Sequence, residues 1–161
     1  MILISEKDDG HVGPAGSISV PDEYVQTIND ALELLAREMH DWMPCNSEFE
    51  SLPGGRSFSD LLDDDRIWIN YDPTNDGKLW GWTIPADSPN DLVITKYALR
   101  MGYWSTAATI VHELAHLDGA PGGNSKAAEH TVGTCRMKSK VGPYDPNVVG
   151  SVVKIGGNRL A

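Results

Sequence analysis

Ser105-Thr106-Ala107-Ala108-Thr109-Ile110-Val111-His112-Glu113-Leu114-Ala115-His116-Leu117-Asp118 is the stretch on which the reading of this chain turns. Ser105 is a fitting N-cap, and Gly119, Pro121, Gly122 and Gly123 supply a stop, so the pattern predicts a helix over 105–118. Residues four apart on a helix share one face. His112 and His116 can therefore hold one Zn²⁺ between them, each nitrogen about 2.0–2.1 Å from the ion. Glu113 points off that axis and is placed to take a proton from water on the ion. With five His and eight Glu in the chain, an accidental HExxH has a chance of only about 0.6%.

A catalytic zinc takes three protein ligands and keeps one position open. Gly119 fits the HExxHxxGxxH pattern, but Gly122 stands where its third His would be. Glu129 is the only Glu after Glu113 and is the candidate third ligand. A short helix over about 125–135 would bury Ala128, Val132 and Cys135 and leave Glu129 at the edge of that face. A carboxylate there is costly unless it is paired or binds metal. His130, Asp118 and Asp145 are rival donors. Tyr144 and His130 are candidates to stabilise an oxyanion.

Outward from this core, Val25, Ile28, Leu32, Leu35, Met39 and Trp42 recur at helical spacing after Pro21, predicting a long helix over about 21–43. Residues 44–65 read as loop, and Asp63-Asp64-Asp65 reads as a solvated turn because it lacks the alternating ligands of a calcium loop. A short strand opens the chain. Arg66–Tyr71 and Leu79–Ile84 read as an antiparallel hairpin across Asp72–Gly77. Leu92–Met101 reads as a third strand and Val148–Ile155 as a last one. The expected fold is α+β: a small mixed sheet packed against the HExxH helix, with the long N-terminal helix beside it, in a single domain over 1–161.

The chain has 161 residues, and its net charge of −10 argues against general nucleic-acid binding. Residues 1–118 carry 7 Lys/Arg against 21 Asp/Glu, and residues 119–161 carry 6 against 2. The basic tail reads as a surface beside an acidic body. No apolar run is long enough for a membrane span, and the opening Met1-Ile2-Leu3-Ile4 is too short and too soon acidic for a signal peptide. Cys45 and Cys135 permit one bridge at most and leave the redox compartment open.

His112-Glu113-Leu114-Ala115-His116 together with Glu129-His130-Thr131-Val132-Gly133 resembles the zincin metallopeptidases with a Glu third ligand, and most of all the short bacterial effector peptidases. The resemblance covers about 25 residues. It implies a zincin-like fold and one Zn²⁺ per chain on His112, His116 and Glu129. It also implies Glu113 as general base and a protein or peptide substrate. In zincins the substrate is commonly added as a strand to the sheet edge beside the active helix, here expected at Trp80–Ile84 or Leu92–Tyr97. It further implies an effector or toxin domain, secreted or delivered by a specialised system. His130–Met137 followed by Asp145–Val149 is similar to the C-terminal region of glucose–methanol–choline flavin oxidoreductases. Those need a GxGxxG dinucleotide fold that this chain does not contain. The rival functions are a zinc hydrolase of a non-peptide substrate and a binding module without a working metal site.

Overall fold

The computed structural model of the chain describes residues 1–74, 79–122 and 125–137. The expected strand at 148–155 and the residues Tyr144 and Asp145 lie outside them. The elements run β1 (Leu3–Ile4), α1 (Asp22–Glu38), α2 (Met43–Glu50), α3 (Phe58–Asp63), β2 (Trp68–Asp72), β3 (Gly81–Trp82), β4 (Asp91–Thr95), α4 (Lys96–Arg100), α5 (Tyr103–Leu117) and α6 (Ala127–Thr134). The architecture is α+β, with a mixed four-stranded sheet and six helices among the described residues. Among the described residues no helix is long and apolar enough to cross a membrane.

The strand order is β1-β2-β4-β3. The first three run parallel and β3 lies antiparallel to β4. The expected β2–β3 hairpin is therefore wrong: β4 inserts between those strands, with Trp68 to Asp72 of β2 aligned against Asp91 to Thr95. The reason is burial. Leu92, Val93 and Ile94 are consecutive and fully buried, so β4 is apolar on both faces and belongs at the centre of a sheet.

The expected strand over 92–101 also ends early. Thr95 turns the chain: its Oγ1 accepts the Ala98 N–H at 3.3 Å and starts α4. The supposed loop 44–65 holds two short helices. Pro44 sits in the first turn of α2, where its missing N–H costs nothing. Ser57 caps α3 by accepting the Asp60 N–H at 3.1 Å. The helix expected over 21–43 is α1 alone, capped at Pro21 and closed at Met39. Its buried stripe of Ile28, Ala31, Leu32 and Leu35 packs on α5.

The core lies between the sheet and these helices. Trp80, Trp82, Phe49, Phe58 and Leu35 are among its largest fully buried side chains. Helix α5 runs through the middle of it, against α1, α4, α6, β3 and β4. Every residue from Trp104 to His116 is buried.

Candidate metal centre

Helix α5 starts at Gly102, whose φ of 102° only glycine takes readily. Ser105, the expected cap, lies inside the helix and is buried. The C-terminal end is a Schellman turn. The Gly119 N–H donates to the His116 carbonyl at 3.0 Å and the Ala120 N–H to the Ala115 carbonyl at 2.9 Å, with Gly119 at φ 96°.

That turn aims one more group. The Ala120 carbonyl accepts from His116 Nδ1 at 2.7 Å. A carbonyl can only accept, so the proton sits on Nδ1 and the neutral ring offers its lone pair at Nε2. A backbone carbonyl behind a histidine is the usual support of a metal-ligating imidazole. His116 Nε2 stands 3.2 Å from His112 Nε2. Two nitrogens each about 2.05 Å from one ion and held at the tetrahedral angle would lie about 3.3 Å apart. The contact is a hydrogen bond between the two rings, and its length is also that of two ligands of one metal ion.

Glu113 is fully buried, and neither carboxylate oxygen has a hydrogen-bond partner. Burial, then the nearby charge of Glu129, pushes its carboxyl well above the usual range. A buried carboxyl without a partner is costly, and a cation beside it removes much of that cost. Glu129 is 7% exposed on α6, and α6 packs on α5. Ala128, Val132 and Cys135 are buried as the short helix demanded. Among the described residues no three His, Cys, Asp or Glu side chains stand together as a ready-made cage. The two imidazoles are brought together, with Glu113 and Glu129 within electrostatic reach of each other.

The rival donors are turned elsewhere. His130 is exposed, and its Nδ1 meets Glu48 Oε1 at 2.6 Å. Asp118 is buried and takes Arg56 Nε at 3.2 Å on Oδ1. Asp145 lies outside the described residues, as does the other oxyanion candidate, Tyr144.

Two contributors escaped the sequence reading and a third was left open by it. One is Gly81 of β3: a Cβ there would fall 2.6 Å from Thr109 Cγ2, 2.9 Å from the Val93 carbonyl and 3.0 Å from Glu113 Oε1. The bare backbone of this edge strand therefore rests directly over the HExxH helix. A glycine inside the strand pattern LWGWTI is the readable sign of such an approach. The second is the loop after α2, where the Gly54 N–H donates to the Asp118 carbonyl at 2.7 Å. The third is the Cys45–Cys135 disulfide, which ties α2 to the end of α6. Of the two stretches expected to offer a substrate edge, Leu92–Tyr97 holds β4, which is paired on both sides, and Trp80–Ile84 holds β3 (Gly81–Trp82), the buried last strand of the described sheet.

No family model, no curated protein and no solved structure matches this chain.

Proposed function

We infer that this chain is a zinc-dependent metallopeptidase of the zincin type, with one Zn²⁺ held by His112, His116 and Glu129. The observation that carries the reading is the pair of imidazole nitrogens 3.2 Å apart beside a buried, unpartnered Glu113. Bound zinc would supply Lewis acidity, acidifying water and polarising a carbonyl. His112 and His116 would hold it through Nε2, and Glu129 would complete the set. Ala120 keeps the His116 ring in the tautomer that can bind. Glu113 takes the proton of the attacking water and returns it to the leaving amine.

The peptide substrate rests on the HExxH and Glu129–Gly133 resemblance; β3, at the end of the described sheet, lies buried over Glu113. The bacterial effector or toxin role rests on the HExxH and Glu129–Gly133 resemblance. The Cys45–Cys135 bridge supports maturation in an oxidising compartment, as a secreted domain would have.

The test is elemental analysis of the purified chain, followed by cleavage of a denatured protein mixture by the wild type and by Glu113→Gln. The reading expects one zinc per chain in both proteins and a turnover lower by about 10²–10⁴ in the variant. Equal cleavage by both, or no zinc in either, defeats it.

A further inference from the structure

Helix α6 has only eight residues, too few to persist on helical propensity. Its cap residue Lys126 makes no side-chain bond to it. Its position is therefore set by what holds it from outside. Besides its packing on α5 and the bond of the Ala127 N–H to Ser125 Oγ at 3.2 Å, three ties run from α6 and its C-terminal turn to α2 and the residue before it. His130 Nδ1 meets Glu48 Oε1 at 2.6 Å. The Arg136 guanidinium lies 3.4 Å from the centre of the Trp42 ring. Cys135 is joined to Cys45, both fully buried. The first two ties are exposed contacts of modest strength. The third is covalent, and it lies six residues from Glu129. The chain after α2 then grips the other half of the centre, through Gly54 and Arg56 on Asp118, two residues past His116.

We propose that the Cys45–Cys135 disulfide is a positioning device for the metal centre, fixing α6, which carries Glu129, on the helix that carries the His112–His116 pair, so that metal affinity depends on the bridge being closed. The proposal rests on the metal-binding reading above. It assigns the cysteines a role distinct from global stability: they set where the third donor stands. Inside the loop that the bridge closes, α5 and strands β2, β3 and β4 are held by their own contacts with α1, α4 and one another. The helix that carries Glu129 then keeps its packing on α5 and α2 and the ties of His130 and Arg136. Such an opened protein should hold zinc by two imidazoles alone.

A double-mutant cycle on the full chain tests this. Zinc affinity is measured by competition with a chromophoric chelator in the wild type, in Cys45→Ala/Cys135→Ala, in Glu129→Ala and in the triple variant. Circular dichroism is recorded for each. Removing the bridge is expected to weaken zinc binding about 10–100-fold, as loss of outer-sphere support does. In the Glu129→Ala background the same removal should change the affinity by less than about twofold, because the two act on one contact. A bridge-free protein with wild-type affinity beside a weakened Glu129→Ala overturns the proposal alone. So do losses that multiply across the cycle, which are what general destabilisation produces. Wild-type affinity in Glu129→Ala, or no zinc binding by the wild type, takes down the ligand reading and the proposal together.

Should the alanine pair not fold, the same cycle is run on wild type and Glu129→Ala reduced with a trialkylphosphine. The phosphorus takes one sulfur and expels the other as thiol. Water then delivers its oxygen to phosphorus and releases the second thiol. The products are two cysteine thiols and one phosphine oxide, and the same outcomes decide.

Discussion

Gly81 and Asp64 are the two residues whose substitution tests the site and the fold separately. At Gly81 a methyl group would press on Thr109 Cγ2 at 2.6 Å and on the Val93 carbonyl at 2.9 Å, both fixed in the core. Overpacking of this kind costs about 1–3 kcal/mol. Gly81→Ala should lower the melting temperature by several degrees and, because Glu113 Oε1 is the third neighbour at 3.0 Å, reduce turnover as well. A variant with wild-type melting and turnover would mean that β3 does not rest on α5. Asp64 is held by Arg66 first, through side-chain bonds at 2.8 and 2.9 Å, and its carboxyl sits at about 2 instead of 3.8. A depressed carboxyl stabilises the fold fully above its unfolded value and loses that stabilisation as pH falls through the folded one. The window is therefore about pH 4 down to 2. Arg66 is exposed, so solvent screening keeps the gain under about 1 kcal/mol. Urea unfolding of the wild type and Asp64→Asn should differ at pH 5 and converge near pH 2; a constant difference would refute the assignment. The histidine pair and Glu113 were legible because HExxH is a local code, with four residues of spacing fixing one helical face. Ala120 was not, since its part is played by a backbone carbonyl that no side chain announces.

Helix α5 depends at its C-terminal end on a turn that only glycine accommodates well. Gly119 has φ 96°, and a Cβ there would meet Pro53 Cβ at 2.9 Å and the Gly54 nitrogen at 3.2 Å. Gly119→Ala should cost about 1–3 kcal/mol in strain. It should also shift the Ala120 carbonyl that orients His116, so zinc affinity should fall together with stability. Chelator competition beside thermal melts checks the pairing; a loss of stability with unchanged affinity would separate the turn from the proposed zinc binding by His116. At this scale the sequence was readable in proportion to element length. The long stripe of α1 and the run into HExxH are strong periodic signals, and α5 and α6 fell within two residues of their expected bounds. The eight residues of α2 and six of α3 are too short for a period to emerge, and Pro44 looked like a breaker when it is a first-turn residue. The capping pattern Ser57-x-x-Asp60 was the available sign of α3. Strand pairing was the weakest part. The turn-rich Asp72–Gly77 suggested a reversal between neighbours, whereas the apolar run Leu92-Val93-Ile94 already marked β4 as the central strand.

Across the whole molecule, the Cys45–Cys135 bridge links positions 90 residues apart and so closes a loop over more than half the chain. A crosslink acts largely on the unfolded ensemble, by removing conformations that the open chain could take. For a loop of this length the chain-entropy relation gives about 4–5 kcal/mol. That is a large part of the roughly 5–15 kcal/mol that separates a folded domain from its unfolded state. The bridge is also fully buried, so alanines in its place leave unfilled space and add a smaller loss of packing. Cys45→Ala/Cys135→Ala should accordingly lose about 4–5 kcal/mol in urea unfolding at neutral pH. Its slope against denaturant should rise as well, because the uncrosslinked chain exposes more surface when it unfolds. The slope separates the two causes: packing loss moves the midpoint and leaves the slope alone, whereas release of the unfolded chain moves both. A loss below about 1 kcal/mol with an unchanged slope would show that the unfolded chain is already compact around Cys45 and Cys135, and the bridge would then matter for where it holds α6 rather than for whether the domain folds.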